Sequence, residues 1–435
     1  MKEDEYEAMI TMITRNKMIF KYILAAVLTI LLFAISGCDV LPPPAGAIKP
    51  PQYSNDANSS GEDAKAIARR FLIPGTQFAY PIHPRNKDAV TEIDIDGDGQ
   101  KEIVALYRGR EINNNNNEVF GVFILKQDEN HEWKIFWQYQ YDASIIALDW
   151  GEVRDISGDG YPELLLGWSI GYRLGNNLDI FSLANKPEPE LVSSIKYSEI
   201  MDIEDRRGHN NEVRPVFVMY LFDPDMFDSS DEGRRAELLK ILRWGQTDST
   251  EQGLVPAKDV YSIYYEDTIE EMQKSLANYW NDLRKWYVLA DAQVKSGKSN
   301  DALTSIENAL KVVQNFINRR IYDKNAVDDL LVYKRKFDIL KAEAYIELGM
   351  YSEAISELNK ISDSYQEDDE ELVKVYLDLG RAYIGINQFG NASIYLNKSC
   401  EMAELLYEKG SALYIMNSYP AKVELQYIKP FISKQ

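Results

Sequence analysis

Two nine-residue acidic stretches constrain the fold of this chain more than any other feature. The first, DIDGDGQKE, covers residues 94–102, and the second, DISGDGYPE, covers residues 155–163. Each has an acid or a hydroxyl at positions 1, 3 and 5, glycines at positions 4 and 6, and a glutamate at position 9. Both lie between short runs rich in β-branched and aromatic residues, which are typical of strands. We therefore predict a repeated strand–loop–strand unit.

The spacing of these two loops suits a calcium ion. Calcium takes about six to eight oxygen ligands, and alternate residues of a tight loop can direct their oxygens to one point. An EF-hand would instead place its closing glutamate at about position 12, between two helices. We predict up to two structural Ca2+ sites, of which the second is weaker because a serine replaces one acid. The predicted ligands are the side chains of Asp94, Asp96, Asp98 and Glu102 with the carbonyl of Gln100, and the side chains of Asp155, Ser157, Asp159 and Glu163 with the carbonyl of Tyr161.

The two loops resemble the calcium loops of FG-GAP or VCBS repeats, which carry a DxDxDGxxD/E motif in β-propeller blades such as those of integrin α heads. The first stretch matches this motif at every position, and the second matches it except for Ser157 in place of the second aspartate; both have glutamate at the last position. The resemblance implies four-stranded blades, which we assign to an all-β propeller-like domain at residues 65–267. This length suits three or four blades and leaves closure of a ring open. Two ordinary turns are the alternative, because Asp and Gly are common turn residues.

Two further features complete the predicted β-domain. A degenerate third copy of the loop is expected at Met201–Val213, where Asp202 and Glu204 remain but the Asp-Gly step is lost. We therefore expect this copy to hold no metal. The run VYSIYY, residues 260–265, is rich in aromatic and β-branched residues and predicts a last strand.

From residue 268 the pattern changes to helical periodicity. Three stretches place small residues and aromatics at the spacings of paired helices, and they resemble tetratricopeptide (TPR) repeats. The resemblance implies an all-α TPR-like array at residues 268–435, with a concave surface for binding a partner protein and a terminal capping helix or two within residues 402–431. The matching residues are Trp286, Leu289, Ala290, Gly297, Ala302, Ile306 and Ala309, then Ala342, Tyr345, Gly349, Tyr351, Ala354, Leu358 and Ile361, then Tyr376, Leu379, Gly380, Tyr383, Phe389, Ala392, Leu396 and Ser399.

The first 38 residues predict export and lipid attachment. Basic residues precede an apolar run at residues 22–35, which has the length of a signal-peptide core and is short for a membrane-spanning helix. The run ends at ISGC, which resembles the lipobox of bacterial lipoproteins. The resemblance implies a signal peptide at residues 1–38, acylation of Cys38, and a protein held by lipid on the extracytoplasmic face of a bacterial cell membrane. The Pro- and Ser-rich residues 39–64 predict a flexible tether.

Charge and motifs exclude several classes of function. The formal net charge of -21 and the absence of a basic stripe argue against nucleic acid as a partner. AQVKSGKS, residues 292–299, fits a loose phosphate-binding loop but lies between two predicted helices, so we expect no nucleotide. GWSIG, residues 167–171, has the form of a nucleophile elbow but leads into another predicted strand. We therefore predict a protein that is not an enzyme.

Together these features predict a membrane-anchored, calcium-stabilised scaffold or adaptor whose TPR-like surface binds a protein of the cell envelope. One alternative is a cell-wall or carbohydrate-binding protein, or a glycan hydrolase, in which Trp133, Trp137, Trp150 and Trp168 stack on sugars. That alternative requires several of these rings to be exposed in one groove, whereas aromatic side chains more often pack in the core. Another alternative is a helical array that only spaces the β-domain from the envelope and has no partner.

Overall fold

The structure of the protein is a computed structural model. It describes residues 63–110, 118–141, 145–171, 175–183, 188–207, 213–227, 235–246, 252–320, 324–365 and 369–432. The predicted signal peptide, Cys38 and all but the end of the predicted tether lie outside these residues. No helix in the described ranges is long and apolar enough to cross a membrane.

Three antiparallel sheets follow one another along the first part of the chain. The first sheet has the order β1-β3-β4-β5, with β2 also paired to β3, and comprises β1 (Thr76–Phe78), β2 (Val90–Ile93), β3 (Glu102–Arg110), β4 (Glu118–Gln127) and β5 (Trp133–Tyr141). The second comprises β6 (Ala147–Arg154), β7 (Glu163–Gly171), β8 (Gly175–Ser182) and β9 (Glu190–Tyr197). The third comprises β10 (Glu199–Arg207), β11 (Val213–Phe227), β12 (Arg235–Gln246) and β13 (Gln252–Pro256). The second and third sheets are simple four-stranded meanders in chain order.

The sheets stack face to face, with a buried apolar layer between neighbours. The layer between the first and second sheets includes Val104, Leu106, Val122, Ile124, Leu164, Leu166, Trp168 and Phe181. The layer between the second and third includes Trp150, Leu165, Ile180, Ile195, Phe217, Met219, Leu242 and Trp244. Both faces of β3 and β7 are therefore covered, which explains why their sequences contain the nearly continuous apolar runs EIVALY and ELLLGW.

Helices cover the two outer faces of this stack. The short helix α1 (Ala64–Arg69) packs through Ile67 and Ala68 on the first sheet. Helices of the second half of the chain pack on the third sheet. Among the described residues, no apolar cluster joins the first sheet to the third. The three sheets thus form a stack with a helix at each end.

The second half of the chain is a helical array. After a 3-10 turn at Lys258–Val260 it contains α2 (Tyr261–Leu276), α3 (Leu283–Lys295), α4 (Ser299–Arg320), α5 (Lys324–Glu347), α6 (Tyr351–Ser362), α7 (Glu371–Gly385), α8 (Phe389–Leu406) and α9 (Ala412–Ile432). Helices α3 and α4, α5 and α6, and α7 and α8 form the three predicted pairs, and α9 packs on α8 in the place expected for a terminal cap. The predicted fold class, a β-rich region followed by a TPR-like helical region, is confirmed.

The predicted repeat positions lie where paired helices meet. Eleven of the small or aliphatic residues among them are fully buried: Ala290, Ala302, Ile306, Ala309, Ala342, Ala354, Leu358, Leu379, Ala392, Leu396 and Ser399. Each first helix ends in a left-handed residue, at Gly297, Gly349 and Asn387, with φ of 75°, 73° and 59°. The following residue donates its N–H to a carbonyl five residues earlier, as from Lys298 to Gln293, so all three pairs use the same C-terminal cap.

One element differs from its prediction. Residues 260–265, expected to be a strand, complete the 3-10 turn and begin α2. Tyr265 and Ile269 lie one helical turn apart and are buried against the third sheet, and the Tyr265 hydroxyl donates to the Leu239 carbonyl at 2.9 Å. Tertiary burial of this face outweighs the local preference of Val, Ile and Tyr for strands. The expected boundary between residues 267 and 268 consequently falls inside a helix.

The sheets and helices form one compact unit that extends from Glu62 to Gln435. Apolar clusters run across the junction between them. One joins Val216, Val218 and Ile241 of the third sheet to the α2 and α3 helices. Another joins Val255 of β13 to α7, α8 and α9. The β-rich and helical regions therefore share cores.

Candidate metal loops and helical-repeat array

The two acidic loops occupy the same place in successive sheets. The first joins β2 to β3 and the second joins β6 to β7, so each connects two consecutive antiparallel strands that pair with each other. The Tyr161 ring of the second loop lies against Gly97 of the first, where a Cβ atom would be 3.5 Å from the ring. Both loops thus lie at the same edge of the stack.

The first aspartate of each loop holds the turn in the same way. Asp94 accepts the N–H groups of Gly97 (2.7 Å) and Gly99 (2.9 Å) on its two carboxylate oxygens. Asp155 accepts those of Gly158 (2.7 Å) and Gly160 (3.0 Å). All four glycines have positive φ, a conformation that other residues rarely adopt. The two glycines of the motif are therefore required by the backbone.

The remaining side chains of the two loops also match bond for bond. The position-3 side chains, Asp96 and Ser157, accept the N–H of the position-5 residue at 3.3 Å in both loops. The position-5 aspartates accept the N–H groups of Gln100 and Tyr161, at 2.7 and 2.8 Å. Binding by the Gln100 and Tyr161 carbonyls stays a prediction.

The position-9 glutamates are the buried members of the loops. Glu102 is 1% exposed and accepts the Ile95 N–H at 2.9 Å, and Glu163 is 3% exposed and accepts the Ile156 N–H at 2.8 Å. Burial raises the pKa of Glu102 above its ordinary value, and burial raises the pKa of Glu163 to about 7. A cation beside these carboxylates would favour their charged form.

The oxygens of the first loop converge as a metal site requires. Carboxylate oxygens of Asp94, Asp96 and Glu102 lie within 4.8 Å of one another. The second loop offers Asp155, Asp159 and Glu163 with the Ser157 hydroxyl, but its three carboxylates do not all come within that distance of one another. No basic side chain in the described ranges pairs with these acids. Arg154, next to the second loop in sequence, is directed to Asp205 and the Ile203 carbonyl. Both donor sets are of the hard oxygen type that calcium prefers.

The two loops differ in that a lysine side chain lies against the first loop only. Lys126, at the end of β4, contacts Asp96 Oδ2, and its Nζ lies 3.2 Å from Asp98 Oδ2 and 3.7 Å from Glu102 Oε1. The hydrogen bond to Asp96 raises the pKa of Lys126, so this side chain is an ammonium ion. The pairing of Ile103 with Leu125 places Lys126 opposite Glu102, and the corresponding residue opposite Glu163 is Ser182.

This lysine was not among the residues singled out from the sequence. The only local signal is that β4 has FILK at residues 123–126 where β8 has DIFS at residues 179–182. That difference acquires meaning once the strand register is known.

At the two acidic residues of the degenerate third copy, the chain forms a strand rather than a loop. Asp202 and Glu204 lie on β10, whose pairing with β11 continues from Glu199 to Arg207. Because the strand extends past the acids, their side chains cannot encircle one point as in the first two loops. Residues 208–212 lie outside the described part of the chain.

Of the four tryptophans proposed to stack on sugars, two are buried in the β-rich core and two are half-buried against it. Trp150 is 2% exposed and Trp168 is 7% exposed. Trp137 packs edge-on against Phe181 between the first two sheets, and Trp133 packs on the opposite face of the first sheet. An exposed groove that contains several of these rings is therefore not formed.

The two motifs of enzymes and nucleotide-binding proteins have structural explanations. Ser169 of GWSIG lies within β7, and its strand continues to Gly171 rather than turning into a helix. Lys298 and Ser299 of AQVKSGKS follow the end of α3, where Lys298 pairs with Glu266 at 2.5 Å. A phosphate-binding loop follows a buried strand, so this segment is a turn between helices.

The first helices of the three pairs form a row that is covered by the chain itself. Helix α3 contacts α5, α5 contacts α7, and α7 contacts α9, whereas the second helices are farther apart, so this row lines the inner side of the array. Six consecutive residues of α3, 289–294, are buried. Val255 of β13 packs with Val373 of α7, and Gly253 lies against Ile415 of α9.

We expected the concave side of the array to receive a partner. The third sheet lies there instead, because these first helices carry apolar residues on more than one face. The helical array is thus a support for the β-rich region.

The fold defines a class of protein in which a stack of β-sheets with acidic loops is joined to a helical-repeat array. Comparisons with known proteins bear on the helical part. Residues 373–404, which cover most of α7 and α8, match the tetratricopeptide repeat family. The chain is also 35% identical over 105 residues to the Superkiller complex protein 3 of Homo sapiens. This match covers 23% of the present chain and spans 6% of the length of the human protein.

Proposed function

We propose that this protein is a lipid-anchored, extracytoplasmic scaffold that binds another protein of the cell envelope and is stabilised by calcium. The observation that carries the scaffold proposal is the three-pair helical array with its tetratricopeptide repeat match, because such repeats generally mediate protein–protein interaction. The ISGC sequence at Cys38 supports the lipid anchor. The two matching oxygen-rich loops support calcium binding. The proposal assigns a binding role rather than a catalytic one.

The partner-binding surface lies on the part of the array that the third sheet leaves free. Helix α8 is the second helix of its pair, and the second helices lie on the outer side of the array. Two of its large apolar side chains, Ile394 and Leu405, are 55% and 68% exposed. Burial of apolar surface is the dominant favourable term in most protein–protein association. Serine at these two positions would remove apolar contact area without opening a cavity in the core.

Chemical cross-linking of the tagged protein in its own cells tests the scaffold proposal. The unmodified protein should yield a reproducible cross-linked envelope protein, and the Ile394→Ser/Leu405→Ser variant should yield less of it at equal abundance. Ile263→Ser, which changes an equally exposed residue on α2, is the matched control. If the recovered set equals that of an unrelated lipoprotein, the array acts only as a spacer.

Membrane fractionation tests the anchor. Two acyl chains hold a protein stably on a bilayer, so Cys38→Ala should move the protein from the membrane to the soluble fraction. Cys400→Ala, which changes the other cysteine of the chain, should leave the protein on the membrane. Retention of the Cys38→Ala protein would contradict lipid attachment.

Thermal unfolding tests calcium binding. A ligand that binds the native state alone raises the unfolding temperature as its concentration increases. The protein should therefore melt at a higher temperature in excess calcium than in chelator, and potassium at matched ionic strength should not reproduce the shift. Equal melting temperatures in calcium and chelator would refute this part of the proposal.

A further inference from the structure

The two acidic loops differ in whether an ammonium group lies beside the carboxylate oxygens that accept no backbone N–H group. In the first loop, backbone N–H groups occupy one oxygen each of Asp96, Asp98 and Glu102. The other oxygens of these three residues, Oδ2, Oδ2 and Oε1, are the atoms that surround Lys126 Nζ. An ammonium group has three N–H donors and no acceptor. Its position is therefore the one that a bound cation would take.

The second loop has the same backbone bonds but no ammonium. Oδ1 of Asp159 and Oε2 of Glu163 accept N–H groups, as in the first loop. The strand position that carries Lys126 in the first sheet carries Ser182 in the second, and Ser182 is buried opposite Glu163. Within the described ranges, no lysine or arginine replaces the missing charge. A cation at this loop would therefore have to come from solution.

We propose that Lys126 is a built-in cation that closes the first loop without metal, so that the protein binds one calcium ion, in the second loop. The number of acidic ligands in the sequence alone predicts the opposite order of calcium affinity, with tighter binding by the first loop, because that loop has one more acid. A calcium ion entering the first loop would first have to displace Lys126 from Asp96 and Asp98, and would then be repelled by the ammonium nearby.

This inference rests on the proposed calcium binding for the second loop only. The statement about the first loop depends on Lys126 and holds whether or not the second loop takes calcium. The two parts can therefore fail separately, and the experiment has to distinguish them.

Calorimetric titration of the whole protein with calcium chloride, after removal of metal, measures the number of ions bound. The unmodified protein should bind one ion per chain. Lys126→Met keeps the length of the side chain and removes its charge, so this variant should bind two. Lys134→Met removes the lysine of an exposed pair with Asp128 on the next strand and should leave the number at one. Asp159→Asn should abolish binding in the unmodified protein and leave one ion in the Lys126→Met protein.

Several outcomes overturn the inference. Two ions bound by the unmodified protein, or no gain of an ion in Lys126→Met, would show that Lys126 does not replace a metal. If Lys126→Met does not fold, the unmodified protein and its Asp159→Asn variant still decide, because retention of an ion by Asp159→Asn contradicts the assignment. No ion in the unmodified protein together with one ion in Lys126→Met would support the role of Lys126 and reject calcium in the second loop.

Discussion

Asp291 is the residue at which the sheets and the helical array meet electrostatically. It lies on α3, is 7% exposed, and accepts a hydrogen bond from Lys295 at 2.5 Å. Lys240 of β12 and Lys374 of α7 also act on it. Although burial alone would raise the pKa of Asp291, these three ammonium groups hold it below its ordinary value. A charge cluster contributed by three elements thus lies at the junction.

Replacement of Asp291 by alanine should destabilise the whole unit. Removing one partner of a buried ion pair leaves an uncompensated charge and typically costs about 3 to 5 kcal/mol. Glu270→Ala is the matched control, because Glu270 and Lys274 form a pair of the same spacing that is exposed, and such pairs contribute at most about 1 kcal/mol. Denaturant unfolding of both variants measures the difference. Equal losses of stability would contradict the structural role of Asp291.

Low pH should lower the stability that the Asp291 charge cluster contributes. Because the native pKa of Asp291 is lowered, the unfolded chain binds its proton more readily, and stability rises with pH in that range. The contribution of Asp291 is therefore fully present above the ordinary aspartate pKa of about 4 and is lost as pH falls through the lower native value. Unfolding curves between neutral and acidic pH should converge for the unmodified protein and Asp291→Asn. A difference in stability that is constant with pH would contradict this account.

At the scale of elements, Gly380 shows how closely paired helices approach. It lies on α7, and a Cβ atom there would be 2.5 Å from Cδ2 of the fully buried Leu396 on α8. The conformation of Gly380 is helical, so the reason for glycine is space rather than backbone freedom. Such contacts fix the spacing of the last helix pair.

Gly380→Ala should therefore destabilise the helical array by about 1 to 3 kcal/mol, the usual cost of an overpacked core. Gly390→Ala is the matched control, because nothing lies within 4 Å of a Cβ atom at that position of α8. There alanine should be neutral or stabilising, since its helix propensity exceeds that of glycine by about 1 kcal/mol. Thermal unfolding followed by helical circular dichroism compares the two. If both variants melt at the same temperature, the close approach is not limiting.

At the scale of the whole molecule, the sheets and helices should unfold together. They form one compact unit and share apolar clusters at Val255 and at Ala412. Five of the seven tryptophans lie on strands, namely Trp133, Trp137, Trp150, Trp168 and Trp244, so tryptophan fluorescence reports mainly on the sheets. Helical circular dichroism reports on the array.

The two signals should therefore change in a single transition. Ile415→Ala, which removes a buried contact with Gly253, should lower the temperature of both signals together, because its usual cost of about 2 to 5 kcal/mol falls on a shared core. Val423→Ala, at an exposed position on the same helix, should change neither. Separate transitions in the unmodified protein would mean that the two regions are independent domains.

The sequence alone determined the features that depend on local pattern. The acidic loops could be predicted because their glycines and aspartates act within nine residues, and the structure gives both loops the same bonds. The helix pairs could be predicted because helical period, small residues at contacts and left-handed caps such as Gly297 and Gly349 are local as well. These features gave the fold class and the candidate site.

Only the tertiary structure decided the features that depend on neighbours distant in sequence. The helical state of residues 260–265 follows from burial against the third sheet, which overrides local preference. The covered inner row of the array follows from the docking of β13 beside α7 and α9. Lys126 reaches Asp96 across thirty residues because strand register places it opposite Glu102. Strand register and the docking of the sheets on the helices arise from long-range packing. For this reason the proposed number of bound calcium ions could not be inferred from the loop sequences alone.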